Sequence, residues 1–150
     1  MRQPSCVLLY LFRERPNGHE YLMMHRLPDR REFWQGVSGG LEEGETPMAA
    51  AVRELAEETG LTGVEIADLE YSYAFPLEDC WRFLYEPGVE SIVAHLFAAR
   101  VPFDATIQLS SEEHSEFRWC SFEESMELLL WPDDKVSLRK VEEFIRMQVR

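Results

Sequence analysis

The stretch from Gly39 to Gly60 limits what this 150-residue chain can fold into more than any other. Thr46 suits the cap of a helix, Pro47 its first position and Gly60 the left-handed residue that ends one, so Pro47 to Thr59 is predicted to be helical. At about 100° per residue, Glu54, Glu57 and Glu58 share one face with Ala50 and Ala51 beside them. Met48, Val52, Leu55 and Thr59 lie opposite and are expected to pack on a sheet, which would leave the three carboxylates facing away from the core. Like charges at this spacing cost a few tenths of a kcal/mol per pair on an exposed helix. Divalent cations with oxygen ligands would offset that cost, bridge phosphate oxygens and lower the pKa of an attacking water. Arg53, at the edge of the acidic face, can hold a glutamate by a forked pair of hydrogen bonds. Gly39 and Gly40, just before the helix, let backbone approach closely enough for a carbonyl to reach such an ion.

Around this helix the pattern is mixed. Cys6 to Phe12 and Tyr21 to His25 read as strands joined by a turn with Pro16, Asn17 and Gly18, a hairpin whose first strand is buried. Leu27 to Glu32 is polar and breaks the pattern, and Phe33 to Val37 is a short aromatic segment. Val64 to Ala74 and Ser91 to Val101 look like strands, joined by a connection with Trp81, Tyr85, Pro87 and Gly88 that is long enough to shape a pocket. Phe117 to Cys120 reads as a short strand. Ser121 and Glu124 form a capping box opening a helix to about Leu130, Pro132 to Asp134 reads as a linker, and Lys135 to Arg150 as a helix with Val141, Phe144, Ile145 and Val149 in one stripe. These elements imply one domain over 1–150, of the α/β or α+β class with a mixed sheet.

The net charge of −13 surrounds the chain with a field that repels nucleic acid polymers, so a phosphate-bearing ligand needs a local positive source. Cys6, Cys80 and Cys120 are widely spaced and odd in number, which suggests neither a disulfide framework nor a zinc site and fits a reducing, cytoplasmic setting. The apolar run Val7 to Phe12 is too short to span a membrane and lacks a signal-peptide cleavage region. The oligomeric state is open, a homodimer included.

An acidic run alone usually marks a solvated helix face. Here Gly39, five residues, Glu45, seven residues, then Arg53-Glu54-Leu55-Ala56-Glu57-Glu58-Thr59-Gly60-Leu61 hold fixed offsets that chance would produce with a probability on the order of 10⁻⁷. On these residues the chain resembles the Nudix hydrolase superfamily. The resemblance implies an α/β/α sandwich and hydrolysis of a pyrophosphate bond in a small phosphorylated substrate with Mg²⁺ or Mn²⁺. It also implies that Glu57 and Glu58 ligate metal, that Glu54 is a ligand or the base that activates water, that Arg53 and Glu45 orient them, and that the Gly39 carbonyl is a further ligand. Phe33-Trp34-Gln35, Val37, residues 42 to 45, Tyr85 with Pro87-Gly88-Val89, and Glu113-His114 with Trp119 are together similar to bacterial dihydroneopterin triphosphate pyrophosphatases. In that group a carboxylate of the Glu-His pair supplies an extra ligand, which points to Glu113, with Glu112 as the adjacent alternative. The Phe-Trp-Gln element also occurs in diadenosine tetraphosphate hydrolases and nucleoside triphosphate pyrophosphatases, dATP being one such substrate.

Substrate contacts are expected from Arg26, which could reach a phosphate, and from Trp34 and Tyr85, which could stack on a planar ring. His114 could orient Glu113. A non-enzymatic alternative is a Nudix domain that senses a nucleotide-like ligand, though a pure binder has no need of all three helix glutamates.

Overall fold

The computed structural model describes residues 1–27 and 32–148. Its centre is β1 (Ser5–Arg15), whose residues Val7 to Phe12 are buried on both sides of the strand. Such a strand must be covered by a layer on each face. On one edge β1 pairs in parallel with β6 (Ser91–Arg100), which pairs antiparallel with β5 (Ile66–Pro76). On the other edge Phe12 to Arg15 pairs antiparallel with β2 (Gly18–Arg26), while Cys6 to Leu9 pairs with β4 (Val37–Gly40). The hairpin strands therefore diverge, and the chain from Trp34 to Gly40 enters the gap, with β3 (Trp34–Gln35) against β2 and β4 against β1. Gly36 stands between them. A Cβ there would lie 2.8 Å from the Leu9 carbonyl oxygen and 2.9 Å from the Tyr10 ring, so glycine is needed for the chain to pass. β7 (His114–Cys120) pairs with β2 and completes a mixed sheet of seven strands among the described residues.

One face of the sheet is covered by α1 (Pro47–Thr59), through Ala50, Ala51 and Leu55 against Val7, Leu9, Leu22 and Phe97. The other is covered by α2 (Phe122–Leu128) and α3 (Pro132–Gln148), whose Leu138, Val141 and Ile145 pack on Tyr10, Tyr21 and Leu96. Each such aliphatic side chain contributes about 1.5–3 kcal/mol through its burial. The architecture is the expected α/β/α sandwich. The helix boundaries at Thr46, Pro47 and Gly60 follow the sequence: the Thr46 side chain accepts from the Ala49 amide, and Gly60 sits at φ 77°. The Ser121–Glu124 capping box forms with both of its hydrogen bonds.

Two expectations need correction. Residues 132–134 are not a linker: Pro132 begins α3, where a missing amide hydrogen costs nothing, and Asp133 and Asp134 suit the positive end of the helix. Val149 and Arg150 lie outside the described residues, as does part of the polar stretch 27–32. The second concerns the face of α1. Met48 and Val52 are 37% and 52% exposed, whereas Glu54 and Glu58 are 7% and 0% exposed. The helix rests on its small alanines and on Leu55, and the arc between them carries Glu54 and Glu58 inward, against the backbone of β4.

Candidate functional site

The close approach of α1 to β4 depends on Gly39. A Cβ on this residue would lie 2.2 Å from the Cδ and Oε1 atoms of Glu54 and 2.6 Å from its Oε2, so the carboxylate occupies the space a side chain would take. Arg53 organises the other side. Its Nε and Nη2 each donate to Glu45 at 2.8 Å, Nη2 also donates to the Gly40 carbonyl at 2.9 Å, and Nη1 donates to Glu54 at 2.8 Å. The forked pair holds Glu45 down at about pKa 2, against an ordinary 4.5. Glu45 also accepts the Glu42 amide at 2.9 Å, and Gln3 Nε2 donates to the carbonyls of Glu42 and Glu45 at 2.7 and 2.8 Å. The loop before the helix is thus tied to both the N-terminal segment and Arg53. Glu57 lies at the outer rim, half exposed, 3.3 Å from Arg53 Nη1.

Glu58 is the unusual group. It is fully buried, and neither of its carboxylate oxygens accepts an aligned hydrogen bond from a described residue, although the nearby Ser38 amide favours its ionised form. Burial first, and then the neighbouring carboxylates of Glu54 and Glu113, push it well above the usual carboxylate range. A bare carboxylate in such a place costs several kcal/mol unless a proton or a cation sits beside it. Glu113 and His114, at the start of β7, bring ligand atoms to within 4.8 Å of one another and of Glu58. His114 Nε2 lies 3.0 Å from Gln35 Nε2 and 3.9 Å from Glu58 Oε1, and the Glu113 carbonyl accepts the Leu27 amide at 3.0 Å, which fixes this corner. A donor set of carboxylates with one imidazole, in a place where anionic oxygen is otherwise uncompensated, fits a hard divalent cation.

Sequence reasoning passed over Gln35 and Ser38 as site residues. The alternation of β3 aims Gln35 at His114, while Trp34 points to the opposite face. There the Trp34 ring lies 4.8 Å from His25 and carries the Arg118 guanidinium at 4.6 Å. Arg26 ends β2 with its guanidinium 5.0 Å from the centre of the Phe33 ring. Tyr85 is buried at the end of a short 3₁₀ helix (Asp79–Leu84), where it borders a cavity of about 210 Å³ together with Gly39, Gly40, Phe75, Trp81 and Ile92. Of the three expected substrate residues, Tyr85 is therefore placed beside the glycine turn, while Arg26 and Trp34 lie on the β2–β3 side of the sheet. Among the described residues no helix is long and apolar enough to cross a membrane.

The chain is similar to several known proteins. A NUDIX domain model matches residues 1–141. An octanoyltransferase from Myxococcus xanthus is 41% identical over 110 residues, 72% of this chain, and the chain spans only 28% of that relative's length. A dihydroneopterin triphosphate diphosphatase from Haemophilus influenzae is 30% identical over 140 residues, covering 91% of this chain and 85% of that protein. An RNA pyrophosphohydrolase from Caulobacter vibrioides is 38% identical over 122 residues, covering 77% and 71%. Among solved structures, a NUDIX hydrolase from Listeria monocytogenes superposes with a TM-score of 0.83 at 28% identity over 96% of this chain and 95% of that one. The dihydroneopterin triphosphate pyrophosphohydrolase of E. coli does so at 0.77 and 25% identity over 93% and 94%.

Proposed function

Because the chain belongs to the NUDIX family of divalent-metal-dependent pyrophosphohydrolases, we propose that it hydrolyses dihydroneopterin triphosphate to the monophosphate and pyrophosphate, in the cytoplasm and with Mg²⁺ or Mn²⁺. The observation that carries the reading is the fully buried Glu58, uncompensated by any aligned hydrogen bond and gathered with Glu113 and His114. Glu58, Glu113, Glu54, Glu57 and the Gly39 carbonyl are the groups that would hold the metal, which when bound would polarise the phosphate and acidify water. Support for the substrate comes from the dihydroneopterin triphosphate diphosphatase relative, which is similar over nearly the whole of this chain.

The chain's own residues then have distinct tasks. Glu54 has one carboxylate oxygen engaged by Arg53 and lies against Gly39, which orients the other oxygen to take a proton from the attacking water. Arg53 and Glu45 position this carboxylate rather than touch substrate. Gln35 holds the His114 ring, and His114 in turn borders Glu58 and Glu113. Tyr85 is assigned to the planar part of the substrate and Arg26 to a phosphate, whereas Trp34 packs beneath Arg118 on the other face and is given no substrate contact. An RNA end is disfavoured as the natural substrate by the net charge of −13, despite the RNA pyrophosphohydrolase relative.

The test is a comparison of dihydroneopterin triphosphate, dATP, diadenosine tetraphosphate and ADP-ribose at one Mg²⁺ concentration, with pyrophosphate and phosphate release as the readout. Dihydroneopterin triphosphate is expected to have the highest kcat/KM. If it is hydrolysed no faster than the others, the substrate assignment fails. Binding without turnover across the whole panel would instead favour a sensor.

A further inference from the structure

We propose that the cavity behind the Gly39–Gly40 turn seats a bicyclic heterocycle with a 2-amino-4-oxo edge, the edge shared by pterins and guanine, and that Glu78 reads that edge. The inference rests on the reading above that the substrate is a small heterocyclic polyphosphate, and it names the part of the protein that selects the ring. Three features carry it. The first is location: the turn that walls the cavity is the one whose Gly39 presses on the Glu54 carboxylate, so a ring held here lies one strand away from the acidic centre. The second is shape. Phe75, Trp81 and Tyr85 surround a space of about 210 Å³, below the range typical of sites for drug-sized ligands and suited to one flat bicycle rather than two stacked bases. Trp81 remains 44% exposed at its mouth, an arrangement that favours an apolar planar ligand over water.

The third feature is polarity. Glu78 lines the same cavity, and the nearby Cys80 thiol donates weakly to its carboxylate at 3.8 Å. A carboxylate only accepts hydrogen bonds, so it matches two neighbouring donors, the ring N–H and the exocyclic amine of a 2-amino-4-oxo ring. Adenine offers an amine beside a ring nitrogen that is itself an acceptor, and would set that nitrogen against the carboxylate.

GTP and ATP are the probes, since they differ in this edge and share the triphosphate. Wild-type protein is expected to favour GTP over ATP in kcat/KM by about tenfold or more. Glu78→Gln should shrink that ratio by about tenfold, through GTP, with no change in the urea midpoint because the side chain lies at the surface. Trp81→Ala should weaken both nucleotides alike, since stacking does not sense the edge. As a readout independent of turnover, neopterin should quench tryptophan fluorescence in wild type and do so far less in Trp81→Phe. A wild-type protein indifferent to GTP against ATP, or a Glu78→Gln variant that keeps the wild-type ratio, overturns the proposal. The two readings fail separately. An edge preference that depends on Glu78, without hydrolysis of dihydroneopterin triphosphate, sinks only the substrate assignment. Hydrolysis of that compound with an unaltered ratio in Glu78→Gln sinks only the role of Glu78.

Discussion

Replacing Gly39 by alanine tests the packing on which the acidic centre depends. The added Cβ would sit 2.2 Å from two atoms of the Glu54 carboxylate, whereas ordinary contact begins near 3.4 Å, so helix and strand must separate, or the carboxylate must move, by about 1 Å. Glu54 has little room to turn aside, because it is 7% exposed and is held by Arg53 at 2.8 Å. Backbone strain plays no part, since Gly39 is absent from the glycines with positive φ. A displacement of about 1 Å in a reacting group costs about 10² in rate, and overpacking of this kind costs about 1–3 kcal/mol of stability. Steady-state kinetics and urea unfolding would therefore show kcat/KM down about a hundredfold and a lower midpoint with an unchanged slope. Gly40→Ala is the control: its nearest contacts are the end of the exposed, flexible Arg2 side chain at 3.3 Å, and it should be mild on both measures. A Gly39→Ala variant with wild-type kcat/KM and midpoint would refute the claim that this contact positions Glu54.

Glu58→Gln should nearly abolish turnover while far-ultraviolet circular dichroism stays helical. With divalent ions chelated it should be at least as stable as wild type, because it removes a buried acid, and Mg²⁺ should raise the Tm of wild type but not of the variant. A variant with wild-type activity would remove Glu58 from the proposed roles. Arg53→Lys keeps the charge but loses the fork to Glu45. The folded pKa of Glu45, about 2, lies below its ordinary 4.5, so its contribution is complete above pH 4.5 and is lost as pH falls toward 2. The variant should therefore show a lower urea midpoint at pH 6 and a flatter decline between pH 4.5 and 2; an unaltered acid limb would contradict the coupling. Asp134 shifts the other way, pushed by burial from 3.8 up to about 6 beneath Tyr10 and Tyr73. A raised carboxylate loses stability as pH climbs through 4 to 6, so Asp134→Asn should gain about 1–2 kcal/mol at pH 7 and little below pH 4, read from urea midpoints at both values.

Much of the local structure follows from residue chemistry alone. Thr46, Pro47 and Gly60 mark the ends of α1 because capping depends on groups within one turn of the chain. The Ser121–Glu124 box and the buried run of β1 are legible for the same reason, and the offsets from Gly39 to Gly60 point to the family because the loop and helix they describe are contiguous. What lies between distant segments is not written locally. The helical pattern suggested that Met48 and Val52 face the core and the glutamates face water, as ordinary amphipathicity dictates. In the folded chain the alanines and Leu55 meet the sheet, and Glu54 and Glu58 turn inward against β4. The meeting of Glu58 with Glu113 and His114 requires β7 to run beside β2, and the cavity bounded by Gly39, Phe75, Trp81 and Tyr85 requires β5 and the 3₁₀ helix to close over the glycine turn. The sequence by itself thus determined the family, the glutamate helix and its ends. Only the tertiary structure decided which carboxylates are stripped of water and which aromatic rings border the glycine turn, because desolvation and close approach belong to the packed chain rather than to any one segment of it.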